Sequence, residues 1–221
     1  MSTSLRVLLS AICAVVIGAA AVRADTGRLA DAATVFSEMT GNIEAGISPT
    51  LLAKAKCVVV IPGVKKAAIG IGGQYGRGYV SCRREEAGWS APGAIRIEGG
   101  SVGLQLGGAE TDVIMLVLND RGVDRLLASK FTVGAAATVA AGPVGRQASA
   151  QTDLTITAEI LAWSRSRGAF AGIALQGSTL REDGSENKEL YGSELPNKTI
   201  VRQNTPAPKG SEALLAALGK Y

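Results

Sequence analysis

Histidine is absent from the 221 residues. Without imidazole there is no Ser-His-Asp or Cys-His catalysis, no imidazole metal ligand and no histidine switch near neutral pH. Cysteine is scarce, at three residues, so a Cys₄ zinc site cannot be built. Aromatics are 4% of the chain against 28 glycines, which suggests many turns and closely approaching backbones. Charge is modest, at a formal +4, far from the field of a nucleic-acid binder. What is plentiful is apolar material, 47% of residues, enough for a sizeable core in one domain.

The longest apolar run, Val7–Val22, follows Arg6 and ends at the small-residue site Val22-Arg23-Ala24. It is shorter than the ~20 residues a spanning helix needs. Residues 1–24 therefore read as a signal peptide cleaved after Ala24, with Cys13 inside it as an ordinary apolar residue. Export to the periplasm or cell envelope follows, with the mature chain at 25–221. Losing Arg6 and Arg23 lowers the formal charge from +4 to +2. The remaining cysteines, Cys57 and Cys82, are an even count in an oxidising compartment. They are expected to form a disulfide joining the first strand to the third.

Along the mature chain, Leu29, Ala33, Phe36, Met39 and Ile43 recur at helical spacing, predicting a helix over 27–44 that packs on a core. Its polar face carries Asp31, Glu38 and Glu44 beside Arg28, which does not suit a membrane-surface helix. Ser48-Pro49 starts a short helix to about Lys54. Cys57–Ile61 reads as a strand ended by Pro62-Gly63, followed by strands over Ala67–Gly72, Gly78–Arg84, Ile95–Glu98 and Val102–Gly107. Val113–Leu118 is unbroken and reads as a strand buried on both faces. Asn119-Asp120 caps a helix bearing Val123, Leu126 and Leu127. Alternating apolar positions then predict strands over Val133–Ala141, Leu154–Ala162 and Phe170–Gln176. Asp183-Gly184-Ser185-Glu186 has capping-box spacing and opens a helix to about Tyr191. Thr205–Pro208 is a linker, and Ser211 caps a last helix with Leu214, Leu215 and Leu218. Strands dominate without regular helix alternation, so the predicted class is α+β. Its sheet is strongly bent and mostly antiparallel, or barrel-like, with flanking helices.

Gly99-Gly100-Ser101-Val102-Gly103 has the letters of a nucleophile elbow, but no histidine exists to take the serine proton and the context is strand–turn–strand. The Gly70–Gly78 stretch resembles a nucleotide loop, yet strand-like residues follow where a helix must open. Its glycines instead suit close strand contact or a bulge. The acids Glu85-Glu86 and Glu182-Asp183 lie in predicted turns. Asp153 and Glu159 can pair with arginines such as Arg165 or Arg167. Asn197-Lys198-Thr199 has glycosylation letters only. No catalytic set, cofactor site or metal site is predicted. The basic residues Lys54, Lys56, Lys65, Lys66, Arg83 and Arg84 bracket the first strands. They are the candidate lipid-binding patch, since each charge near an anionic membrane contributes about 1 kcal/mol.

Five runs resemble a known family. AKCVVVIPGVKKAAIGIGGQYGRGYVSCR, ending at Arg83, is followed by GGSVGLQLGG (99–108), DVIMLVLNDRGVDRLL (112–127), FTVGAAATVAAGPVGR (131–146) and AEILAWSRSRGAFAGIALQGS (158–178). In this order they closely resemble the SYLF domain family. The resemblance spans about Leu29 to Tyr191. It implies a lipid-binding module without catalysis. Eukaryotic members bind phosphoinositides and some bind actin, whereas bacterial members are typically exported, stand-alone domains. A signal peptide stands here where eukaryotic members often carry a membrane-inserting helix, so phosphoinositide and actin specificity are not carried over. The expected partners are anionic phospholipids at a membrane surface, and not nucleic acid. A scaffold domain that binds another envelope protein is the alternative.

Overall fold

The computed structural model describes residues 27–41, 46–69, 71–84, 88–102, 107–133, 139–143, 158–166, 169–171, 175 and 177–221. The expected signal peptide, Ile43, Glu85-Glu86, Asp153 and the 154–157 portion of a predicted strand lie outside them.

Among the described residues nine strands form one sheet: β1 (Cys57–Ile69), β2 (Ile71–Cys82), β3 (Gly93–Val102), β4 (Gly107–Val117), β5 (Phe131–Thr132), β6 (Val139–Ala141), β7 (Ile160–Ser166), β8 (Ala169–Ala171) and β9 (Thr179–Glu182). The order is β5-β9-β3-β2-β1-β4-β7-β6, with β8 also paired to β7. All pairs are antiparallel except β6 with β7. The helices are α1 (27–41), α2 (Pro49–Lys54), α3 (Asp120–Leu126), α4 (Gly184–Tyr191), α5 (Asn197–Arg202) and α6 (Glu212–Leu218). The class is α+β, with a curled, mostly antiparallel half-barrel sheet and flanking helices.

Over its central part this sheet is buried on both faces, and strand alternation decides which residue serves which face. Val58, Val60, Tyr79, Ile114, Leu116 and Trp163 point to one side, where Leu29, Phe36 and Met39 of α1, Leu52 of α2 and Leu214 and Leu218 of α6 pack on them. Cys57, Val59, Ile61, Val80, Met115 and Val117 point to the other, under Val123 and Leu126 of α3, Phe131, and Ile200 and Val201 of α5. α1 is a core helix, as its period demands. Each large apolar side chain it buries contributes about 1.5–3 kcal/mol.

Pro62-Gly63 does not end the first strand. β1 runs on to Ile69, and its register slips against β2 between Val60 and Lys65 and against β4 between Ile61 and Val64. The slip is a bulge at a proline, which has no N–H to give the ladder, and a glycine at φ +55°. The three strands expected over 57–84 are therefore two long ones. Cys57 and Cys82 lie directly opposite at the base of the β1–β2 hairpin, 3.9 Å apart at Cα, and their sulfurs are bonded. The bridge joins the first strand to the second rather than to a third.

All four expected N-cap positions open helices, but only Asn119 and Asp183 cap with their side chains. Ser48 and Ser211 make no side-chain cap bond, and the Ser211 hydroxyl donates instead to the Pro208 carbonyl at 2.6 Å. The Asn119 side chain accepts from Gly122 N–H at 2.9 Å, and that of Asp183 from Glu186 N–H at 3.3 Å. β9 and α5 have no counterpart in the sequence reading. β9 is four residues between a turn and a helix cap, too short to show a period.

Candidate functional site

The site is built from β2. Its odd positions, Tyr75, Arg77 and Tyr79, share the α1 side of the sheet, while Gly76 and Gly78 turn to the other. Tyr79 is buried under the helices and its hydroxyl donates to Glu186 at 2.7 Å. One step outward, Arg77 leaves the apolar cover. Another step out, Tyr75 is 49% exposed, the largest exposed apolar side chain among the described residues.

Register extends these positions sideways. Arg77 faces Arg96 on β3, and Arg96 faces Arg181 on β9. In the next row Tyr75 faces Lys65 on β1 and Glu98 on β3, and Glu98 faces Thr179. Beside these rows a cleft of about 850 Å³ opens between the first turns of α1 and the bulged hairpin, with Arg28, Asp31, Lys65, Tyr75, Arg77 and Arg165 among its walls.

Ion pairs settle which charges the fold keeps. The Arg77 guanidinium meets the Asp183 carboxylate at 2.6 Å and that of Glu186 at 3.1 Å, and Arg28 of α1 pairs with the same Glu186. Both carboxylates are buried. Burial alone would raise the Asp183 pKa. Hydrogen bonds from Arg77 and Ser185 outweigh it and hold the carboxyl below the usual range. The hydrogen bond to Asp183 pushes Arg77 upward against its own desolvation. Farther along α1, Glu38 meets Arg165 at 2.7 Å, and Arg165 meets Asp112 at 2.8 Å. Both ends of α1 are thus tied electrostatically to the sheet or to α4.

The six expected cations are not one cluster. Lys54, Lys56, Arg83 and Arg84 sit at the disulfide end of the hairpin, whereas Lys65 and Lys66 lie nine or so residues up the strand, on the order of 30 Å away. Lys56 pairs with Asp120 at 2.7 Å. Arg83 donates to the carbonyls of Leu52, Ala55 and Tyr221 and lies 4.6 Å over the Trp89 ring, so it is a structural clamp. Lys54 is exposed and Arg84 half-buried. Lys65 and Lys66 point to opposite faces: Lys65 is exposed beside Tyr75, and burial lowers the Lys66 pKa. Glu159 meets Arg121 and Arg125, at 3.7 and 3.4 Å, rather than Arg165. Six residues of extended chain, about 20 Å, separate it from Arg165.

The sequence alone assigns no site role to Arg28, Tyr75, Arg77, Arg96 or Arg181. One signal was available: from 74 to 79, Gln-Tyr-Gly-Arg-Gly-Tyr places large side chains at every second residue, with glycines between Tyr75, Arg77 and Tyr79. Of the nucleophile-elbow letters, Gly99–Val102 lie within β3, and Gly103 lies outside the described residues.

A family model described as "Ysc84: Las17-binding protein actin regulator" matches residues 98–221, more than half of the chain. The chain belongs to the Ysc84, or SYLF, family. Among similar proteins, human SH3 domain-containing YSC84-like protein 1 is 33% identical over 189 residues, covering 84% of this chain and 55% of the relative. Protein YSC84 of Saccharomyces cerevisiae is 32% identical over 177 residues, 78% of this chain and 37% of the relative. LAS seventeen-binding protein 3 of the same yeast is 31% identical over 177 residues, 78% and 38%. This SYLF chain thus spans about half or less of the length of these relatives. Of these three names only that of LAS seventeen-binding protein 3 is the name of a binding protein, and the family description is that of a Las17-binding actin regulator.

Proposed function

We propose that this SYLF chain is an exported, non-catalytic binding module of the cell envelope, with residues 1–24 as its signal, and that it associates reversibly with anionic lipid headgroups. The observation that carries the reading is the Lys65–Tyr75 pair, a cation and a half-exposed phenol directly opposite each other on the open part of the α1 side. A Tyr ring has an apolar body and a polar tip, which suits the boundary between headgroups and acyl chains. A neighbouring lysine adds attraction to anionic lipid, about 1 kcal/mol.

The test is co-sedimentation with phosphatidylglycerol-containing vesicles against pure phosphatidylcholine. Binding to the anionic vesicles alone, weakening as salt rises, is expected. Lys65→Glu removes one attraction and adds one repulsion, about 2 kcal/mol or roughly thirtyfold. Lys66→Glu, on the opposite face, changes binding far less. Equal losses from the two substitutions would refute this contact face. No binding to anionic vesicles at low salt would refute the lipid reading. It would favour the second one, a scaffold that captures an envelope protein. That reading draws on the family description and on one relative, both of which are worded for binding another protein.

A further inference from the structure

The row Arg77–Arg96–Arg181 places like charges directly opposite each other on three neighbouring strands, an arrangement that is destabilising unless counter-charge is supplied. For Arg77 the counter-charge is complete, in Asp183 and Glu186. For Arg96 and Arg181 it is not. Their common carboxylate is Glu98, 2.6 Å from Arg96 Nε and 3.9 Å from Arg181 Nε. Both Nε atoms are buried, yet neither has an acceptor placed in line for a hydrogen bond. Two guanidinium groups thus share one negative charge, with two donors unsatisfied, on a surface that stays a third or more open to solvent. The register of β5 with β9, Phe131 opposite Leu180, continued by one residue, brings the exposed Lys130 opposite Arg181. Lys130 extends the basic row to the edge of the sheet.

We propose that Arg96 and Arg181 form a phosphate-binding site, with Lys130 at its rim and Glu98 as an internal competitor for the same guanidinium donors. Adjacent strands set the two side chains about 5 Å apart at Cβ. Each guanidinium can then present its fork to one phosphate, whose geometry it matches in a bidentate manner. The phosphate is that of an anionic headgroup if the lipid reading above holds, on which this source rests. Tyr75 and Lys65 lie in the adjoining row of the same face, so one docked membrane reaches both. A soluble phosphomonoester offers the same chemistry.

The experiment uses the full mature chain and two probes: vesicles of phosphatidylcholine with phosphatidic acid, and glycerol phosphate in solution. Arg96→Gln and Arg181→Gln are each expected to weaken binding on the order of tenfold, the loss of one charge-assisted contact. Arg96→Lys, which keeps the charge but loses the fork, falls between. Glu98→Gln is the decisive variant. Removing the competitor strengthens phosphate binding several-fold, whereas a purely structural ion pair gives no gain. Folding is verified for each variant by its urea midpoint. Vesicle binding that ignores the arginine substitutions and does not rise in Glu98→Gln overturns this site while leaving the lipid reading intact. Glycerol phosphate binding lost in Arg96→Gln, with no vesicle binding by the unsubstituted chain, supports the site and refutes the lipid source. Binding of neither probe overturns both.

Discussion

Gly78→Ala is expected to be among the most damaging single-methyl changes in this protein, and the reason lies in the bulge. Where β1 slips at Pro62-Gly63, its backbone crosses β2 at Gly78 more closely than a regular ladder allows. A Cβ built there overlaps the Val60 carbonyl oxygen and lies 2.7 Å from Ile61 Cα and 2.9 Å from Val60 C. All three are backbone atoms of a buried strand, so no rotamer change relieves the contact. The strands must separate, and the Val59 and Val80 side chains beneath them lose packing. Overpacking of this kind costs about 1–3 kcal/mol, and a backbone obstacle places it at the upper end. The same strand holds an internal control. A Cβ at Gly73 meets only the Gly99 carbonyl, at 3.9 Å. Gly73→Ala therefore gains the usual stiffening of a strand residue, on the order of 0.5 kcal/mol. At about 2–4 °C per kcal/mol for a chain of this size, Gly78→Ala lowers Tm by roughly 6–12 °C while Gly73→Ala leaves it level or slightly higher. Thermal and urea unfolding of both variants measure this. Equal midpoints would refute the claim that the glycines of this stretch serve close strand crossing.

Reduction of Cys57–Cys82 releases a loop of sequence separation 25, and unfolding under reductant should show a loss on the order of 3 kcal/mol. An unchanged midpoint, or two labelled thiols in protein isolated without reductant, would contradict it. Asp183→Asn keeps a good helix cap but removes the nearer of the two carboxylate charges that Arg77 faces, with an expected loss of about 2 kcal/mol at neutral pH. Because the folded pKa of Asp183 lies below its unfolded value, its contribution is present at neutral pH and is lost as pH falls from about 4 through that lower value. The variant's stability should therefore fall less over that acid range. An acid limb identical to that of the parent would argue against this sign.

Local signals were the readable ones. Helical spacing placed Leu29, Phe36 and Met39 on the core side of α1, cap residues placed α3 and α4, and the unbroken run 113–118 marked the part of β4 buried on both faces, Val113–Val117. Each depends on near neighbours in the chain. The failures depend on distant ones. Pro62-Gly63 has the composition of a turn, and only pairing on both sides of β1 keeps the strand going through it. β9 is recognisable as a strand because β3 and β5 flank it, not because Thr179–Glu182 shows any period.

The basic residues show the same division more sharply. Adjacent cations in a strand, such as Lys65 and Lys66, draw the eye in a sequence, but alternation sends them to opposite faces, so they cannot act as a two-charge patch on one surface. Cations that do share a face are separated by a whole hairpin or more: Arg77, Arg96 and Arg181 meet only after β2, β3 and β9 have paired. Their fates then depend on the carboxylates that the fold brings beside them. Arg77 receives two buried ones and is used to hold α4 against the sheet. Arg83 is used by backbone carbonyls and an indole. Arg96 and Arg181 receive a share of one. The cations with attraction left for an external anion are thus those whose internal partners run short, which is a property of register and of no single stretch of sequence. Substituting Lys65 and Lys66 separately, instead of as a pair, puts that argument to the test, because only one of the two lies on the face that carries the arginine row.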